Sequence, residues 1–342
     1  MIKKRWEKNQ KDMLENVRIA IEKAQNKNEY PNHFDMPMGI QYELTTKCNM
    51  KCIHCYNKSG ETDNSLMKID DWIELTKDLI KNGGLFQCII SGGEPLLLGD
   101  NLLKIMDLLH NDNTVFTLIS NGYLLDEEWI KKLAKYRFNR FQISIDNSIE
   151  EEHDQFRQKK GSWRRAVKAA YLASENNFPL VIASSVTPQN IVRMKDMAEL
   201  AYNLGASSLI FGKIMLSGRA AENNNIILKE EQEEQFLRNV EILRREYLGS
   251  MNIQVSSNLK NQLERLRTTP MSGVIIRPNG DVRLDCSLPF VIGNILEDSF
   301  KDIWNNKAKD SLNNPKVREY IECLDENESS FLTNYVDEDI YI

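Results

Sequence analysis

Three of the chain's six cysteines crowd into eight positions, Cys48-x-x-x-Cys52-x-x-Cys55, while Cys88, Cys286 and Cys323 stand alone. Iron–sulfur clusters are held by cysteine thiolates, and closely spaced cysteines on one loop can wrap around a single cluster. Three ligands leave one iron of a four-iron cluster open. An open position lets a metal site bind a reactant rather than act as a staple, as in catalytic zinc sites. Two plainer readings compete. Spacings of four and three would also put the sulfurs on one helix face as core residues, although Asn49, Lys51, His54 and Asn57 surround them with polarity. A zinc site completed by His54 is the other. His54 adjoins Cys55, so its ring would normally diverge from the cysteine's side of the backbone.

The second feature is Gly92-Gly93-Glu94-Pro95, at the end of an apolar run over Phe86 to Ile90. Paired glycines let backbone approach a ligand closely, and proline stiffens the turn. Loops of this kind often merely turn; about forty residues beyond the cysteine triad, this one gains weight.

Together these residues resemble the radical S-adenosylmethionine (SAM) superfamily, through Cys48-Asn49-Met50-Lys51-Cys52-Ile53-His54-Cys55-Tyr56 and Gly92-Gly93-Glu94-Pro95. The resemblance implies a partial (β/α)6 barrel and one three-cysteine 4Fe–4S cluster on Cys48, Cys52 and Cys55. Its open iron would chelate the methionine moiety of SAM. Gly92, Gly93, Glu94 and Pro95 would cradle the methionine end, and Tyr56 would lie near the adenine. Reductive cleavage would then yield methionine and a 5′-deoxyadenosyl radical that abstracts a substrate hydrogen. The hard chemistry belongs to the cofactor, and the protein contributes orientation and exclusion of water. Asn121-Gly122 resembles the family's asparagine–glycine turn, and Ser144-x-Asp146 its Ser-x-Asp pattern, with the serine facing the ribose. Asn147 stands where glycine is usual. His153-Asp154-x-x-Arg157 is similar to an element of peptide-modifying members, with Arg157 as a carboxylate contact. The plainer reading of Ser144, Asp146 and Arg157 is strand-end hydrogen bonding and an ion pair.

Gly218-Arg219-Ala220, Ile276-x-Pro278-x-Gly280-Asp281-Val282-x-x-x-Cys286, Gly293-Asn294-Ile295 and Phe300-x-x-Ile303-Trp304 resemble the C-terminal extension called SPASM, or its shorter Twitch form. Such extensions carry auxiliary clusters on many cysteines. Here only Cys286 and Cys323 lie beyond the barrel, and Ser272 stands where an early ligand is expected, so a single cluster is the expectation. Cys286 is then a candidate hydrogen donor or a relic packed as a small hydrophobe; Cys88, inside a strand, reads as core.

These motifs need a scaffold, and a strand-then-helix rhythm supplies one. A helix capped by Asp70 and ended by Gly83-Gly84 precedes the strand over 86–90. Helices follow at about 100–110, 126–136, 162–176 and 190–204, with strands at 115–119, 141–145, 180–186 and 208–215. With the extended run Gly39 to Leu44, six strands alternate with helices, which calls for parallel pairing and right-handed crossovers. Beyond lie a helix over 229–246, a short strand near Ile253 and a hairpin from Val274 to Leu284 turning at Asn279-Gly280. The expected organisation is a helical segment over 1–36, the barrel over 37–220, and a small α+β extension over 221–342 ending in an acidic tail.

With 41% hydrophobic and 27% charged residues the chain reads as globular, and a net charge of −6 argues against a nonspecific grip on nucleic acid or anionic membrane. No signal peptide or membrane span is evident, so a cytoplasmic location is expected. The expected partners are a peptide or small-molecule substrate and a reductant such as flavodoxin or ferredoxin. Peptide crosslinking, epimerisation or thioether formation leads. A sugar or aminocyclitol oxidoreductase or isomerase, and a non-catalytic iron–sulfur or zinc scaffold, stand as alternatives.

Overall fold

A computed structural model describes residues 15–61, 65–256, 270–286, 288–326 and 339–342. Six parallel strands form its centre: β1 (Gly39–Glu43), β2 (Gln87–Ser91), β3 (Val115–Ser120), β4 (Phe138–Ser144), β5 (Leu180–Val186) and β6 (Ser208–Lys213), paired in chain order. Helices follow each: α1 (Ile69–Lys81), α2 (Asp100–Asn111), α3 (Glu127–Leu133), α4 (Glu150–Arg157) with α5 (Ser162–Glu175), α6 (Met194–Asn203) and α7 (Glu230–Glu246). This is the partial (β/α)6 barrel that the strand rhythm predicts.

The sheet runs on past the barrel at both edges. β7 (Asn252–Val255) pairs parallel with β6, and β8 (Gly273–Ile276) pairs parallel with β1. β8 and β9 (Asp281–Arg283) make the expected hairpin, whose Gly280 adopts φ +91°, a conformation that favours glycine. β10 (Phe290–Asn294) follows antiparallel to β9, and α8 (Phe300–Ile303) and α9 (Pro315–Glu326) complete the extension. The acidic tail ends in β11 (Ile340–Tyr341), docked parallel on β10, with Asp339 ion-paired to Arg277 at 2.5 Å. Residues 327–338 of that tail, and residues 1–14 of the helical segment expected over 1–36, lie outside the described residues; 15–26 are helical.

The core lies between sheet and helices. On β1 the buried Ile40 and Tyr42 point to the helices, and Tyr42 packs on Trp72 of α1 with ring centroids 4.9 Å apart. Cys88 and Ile90 do the same on β2, so Cys88 is core as expected. One cap differs from its expectation. Asp70 lies within the first turn of α1; the helix starts after Lys68, whose backbone N–H donates to Asp71 at 2.7 Å. The acidic side chain one place later reaches the free donor, and Asp70 complements the helix dipole instead. Strand β4 begins three residues earlier than expected, at Phe138, because a bulge carries the polar pair Asn139 and Arg140 into the ladder. Among the described residues no helix is long and apolar enough to cross a membrane.

Candidate functional site

Beyond Glu43 the chain leaves the sheet as an irregular loop carrying Cys48, Cys52 and Cys55. All three are free thiols; Cys52 is buried and the other two half-buried. The loop contains no helical turn, which removes the helix-face core reading. The zinc reading fails on His54. Its ring stacks on Phe156 at 4.2 Å and faces Asp146 at 4.0 Å. Among the described residues, no three His, Cys, Asp or Glu side chains converge as one ion would require. Cluster thiolates bind separate irons, so three free sulfurs on one short loop suit a cubane. Burial pushes the Cys48 thiol up to about 12 and Cys52 up to about 11, the latter opposed by Arg157 and Arg219. Loading metal there displaces those protons.

Two segments grip the loop. From β2, Gly93 N–H donates to Thr45 O at 2.7 Å and Glu94 N–H to Lys47 O at 2.9 Å. A Cβ on Gly92 would sit 2.7 Å from Thr45 O, and one on Gly93 would fall on the Lys47 carbonyl oxygen. The glycines thus admit the loop's own backbone, and the N–H groups of Gly93 and Glu94 are engaged with it. Pro95 is buried and opens a short 3-10 turn. The fully buried Glu94 carboxylate accepts from Leu96 N, Ser120 Oγ and Asn121 N at 3.2, 3.0 and 2.8 Å, and burial pushes its carboxyl up to about 7. Asn121 turns its amide to Asn49 Oδ1 at 2.8 Å and Cys48 Sγ at 3.8 Å. Tyr56 donates its hydroxyl to Glu43 at 2.8 Å.

The second grip comes from Gly218-Arg219, after β6. Arg219 N–H donates to Cys55 O at 2.9 Å, and its buried guanidinium reaches Cys52 O at 2.8 Å, Ser59 O at 2.9 Å and Glu61 at 2.7 Å. Gly218 has φ +57°, and a Cβ there would fall on the carbonyl oxygens of Tyr56 and Cys55. The sequence marks this triplet only by resemblance; its structural work as an anchor has no local signature. Replacing Arg219 with Gln is expected to cost about 2–3 kcal/mol, the worth of its charged hydrogen bonds to buried carbonyls, read as a lowered urea midpoint of the iron-free chain.

The His153-Asp154-x-x-Arg157 element brackets Asp146. Arg157 Nε donates to Asp146 Oδ2 at 2.7 Å, Ser185 N–H to Oδ1 at 2.9 Å, and Asp146 N–H to His153 Nδ1 at 3.1 Å. Asp154 caps α5 through Trp163 N and Ser162 Oγ, both at 2.8 Å. Asn147, the departure from glycine, accepts from Ile149 N–H and donates to Glu152. Ser144 lies half-buried at the end of β4 without a side-chain hydrogen bond among the described residues. Burial lowers His54 and His153 to about 4 each. Unfolded histidines titrate near pH ~6.5, so between about 6.5 and 4 the unfolded chain takes up protons that the fold refuses, and stability falls as pH drops. Urea midpoints measured at about pH 7.5 and about pH 5 should show the loss, with a shallower pH dependence in His153→Gln.

Residues 42–201 match the radical SAM superfamily model, and residues 268–325 match SPASM, an iron–sulfur cluster-binding domain. The chain carries a radical SAM domain followed by a SPASM domain. Among curated relatives, the antilisterial bacteriocin subtilosin biosynthesis protein AlbA of Bacillus subtilis is 29% identical over 80% of this chain and 61% of its own length. The AdoMet-dependent heme synthase of Methanosarcina barkeri is 28% identical over 79% of this chain and 82% of its own. The chain therefore spans under two thirds of the AlbA protein. Streptococcus suis SuiB bound to precursor peptide SuiA shares the fold, with a TM-score of 0.65 at 14% identity, covering 90% of this chain and 71% of that one.

The radical SAM domain implies a 4Fe–4S cluster and SAM as cofactors, and the triad's free thiols fit the cluster. The SPASM match indicates a further cluster, which the single-cluster expectation leaves out. Cys286 and Cys323 are the cysteines within 268–325, so such a cluster needs ligands other than cysteine as well. Cys286 is half-buried in the turn before β10, its Sγ 3.7 Å from Asp285 Oδ1, and burial pushes its thiol well up. The side chain of Cys323 lies outside the described residues.

Proposed function

We propose that this chain is a radical SAM enzyme that modifies a ribosomally made peptide or protein side chain by crosslinking, epimerisation or thioether formation. The observation that carries the chemistry is the loop of three free thiols held at the strand ends by Gly92–Glu94 and Gly218–Arg219. A cluster held by Cys48, Cys52 and Cys55 would supply the electron for reductive cleavage of SAM to methionine and a hydrogen-abstracting 5′-deoxyadenosyl radical. The chain's own residues bind and orient. Glu94 and its three donors fix the methionine end, and Ser144 offers an uncommitted hydroxyl to the ribose. Asn121 and Tyr56 line the approach, while Asp146 and Arg157 hold β4 and β5 in register beneath it. Pro95 stiffens the cradle. Cys286 serves as hydrogen donor, its thiol kept protonated by burial.

The peptide substrate is supported by relatives named for peptide maturation and by a precursor-peptide-bound structure of the same fold. A flavodoxin or ferredoxin donating the electron, and a cytoplasmic location, complete the proposal, as do the divisions 37–220 for the barrel and 221–342 for the extension. Anaerobically reconstituted protein should release 5′-deoxyadenosine from SAM under reduction; none with an intact cluster would refute the activity. Co-expression with short open reading frames beside its gene, followed by mass spectrometry, tests the substrate class. Iron counting in a variant with all three triad cysteines replaced by alanine reads the extension directly: iron retained there is iron held by a second site.

A further inference from the structure

Where the barrel strands begin, polar side chains join the branched apolar ones that ordinarily fill such interiors. Gln87, Thr117, Asn139, Arg140, Ser208 and Gln254 line a cavity of about 390 Å³ there, beside Ile89, Ile119, Val181 and Ile210. Asn139 and Arg140 are consecutive, and on a regular strand only one would face inward. The register shift between β3 and β4 pairs Phe116 with Phe138 but Thr117 with Arg140, so the bulge brings both to the cavity. Asn139 is occupied, accepting from Thr117 Oγ1 at 2.8 Å, and Thr117 accepts from Gln87 at 2.9 Å.

Arg140 has no such closure. Its Nη2 donates to the Gln142 side-chain oxygen, and its Nε is buried with no hydrogen-bond partner. No carboxylate lies within ion-pair distance of it among the described residues. The four arginines buried among the described residues all have one: Arg157 with Asp146, Arg219 with Glu61, and Arg277 and Arg283 with Asp339. Arg140 is half-buried and keeps its charge, and its planar fork matches a carboxylate. The cavity therefore holds a fixed positive charge whose counter-charge the chain does not supply.

We propose that Arg140 receives a carboxylate of the substrate, so that the barrel takes a peptide segment bearing an acidic side chain or a free C-terminus. This rests on the peptide-modifying reading and specifies its substrate. Arg140, Gln142 and Ser144 share one face of β4, which places Ser144 roughly 13 Å along the strand from the anchor. A carboxylate held at Arg140 leaves that length of lumen between the anchor and the strand ends where the cysteine loop lies.

The test uses the cluster-loaded full chain and three blocked tripeptides at matched ionic strength. These are acetyl-Gly-Glu-Gly-amide, acetyl-Gly-Gln-Gly with a free carboxylate, and the neutral acetyl-Gly-Gln-Gly-amide. Calorimetric titration should show binding of one or both charged peptides over the neutral one, and which of them binds tells an acidic side chain from a C-terminus. Arg140→Met should weaken that binding at least about tenfold, the worth of one charge-assisted pair. It should leave the thermal midpoint of the unliganded chain unchanged or raised, because a half-buried charge without an ion-pair partner has gone. A lowered midpoint in Arg140→Met, or no preference for the charged peptides in the native chain, overturns the assignment. Neither readout involves SAM cleavage, so failure here leaves the proposed activity standing.

Discussion

Replacing Cys52 with alanine is expected to bring 5′-deoxyadenosine release down to the level seen without protein, the largest effect of any single substitution. Cys52 is the most buried of the three thiols, and its carbonyl accepts from the Arg219 guanidinium, so its sulfur has the least freedom to be replaced by a water or a neighbouring side chain. Two thiolates leave the cluster without the ligand set that three supply. Anaerobic turnover with chromatography of the nucleoside products checks this. Cys88→Ala serves as the control, because Cys88 is packed in the core of β2, and it should retain product formation at some cost in stability. Equal loss in both variants would move the cause from ligation to folding.

The second large effect belongs to Asp146. Asp146→Asn is expected to destabilise the chain by about 3–5 kcal/mol, because it leaves the Arg157 guanidinium buried without its counter-charge. Their side chains are 2% and 7% exposed, so solvent does not soften the loss. Burial alone would raise the Asp146 carboxyl; Arg157 and the two histidines hold it well below the usual carboxylate range. The same residue accepts from Ser185 across the β4–β5 pair, and Asn190 donates to its carbonyl at 2.8 Å, so the damage spreads to the strand ends. Urea unfolding of the iron-free chain measures it. Pairing Asp146→Asn with Arg157→Met should recover part of the loss, since the stranded charge goes as well.

The sequence announces the chemistry more clearly than its support. The cysteine triad, the Gly92–Pro95 turn and the alternation of strands with helices are legible because each is local: ligand spacing, turn residues and periodicity are properties of short windows. The roles of Arg219 and Arg157 are not legible in this way. A guanidinium that binds a carbonyl some 160 positions earlier leaves no mark in its own neighbourhood, and Arg219 Nε to Cys52 O spans 167 residues. Helix α4 escapes detection for a different reason. Its eight residues bury only His153 and Arg157, so no apolar stripe betrays it. The hydrogen bonds that Glu94 accepts from Leu96, Ser120 and Asn121 are hidden in the same way as those of Arg219, because two of the donors come from the neighbouring strand end.

The clasp between Gly218–Arg219 and the cysteine loop also orders events in time. On a ribosome the three ligand cysteines emerge early, yet the side chain that secures their loop is made only after all six barrel strands. Closing a connection that long is entropically slow and becomes favourable only when the intervening strands have paired. The cysteines accordingly wait, gripped only from Gly92–Glu94, until the barrel has been synthesised. Iron delivery is thereby deferred until the last barrel strand is made, and a nascent fragment ending before Ser217 has the ligands and the first grip but lacks the second.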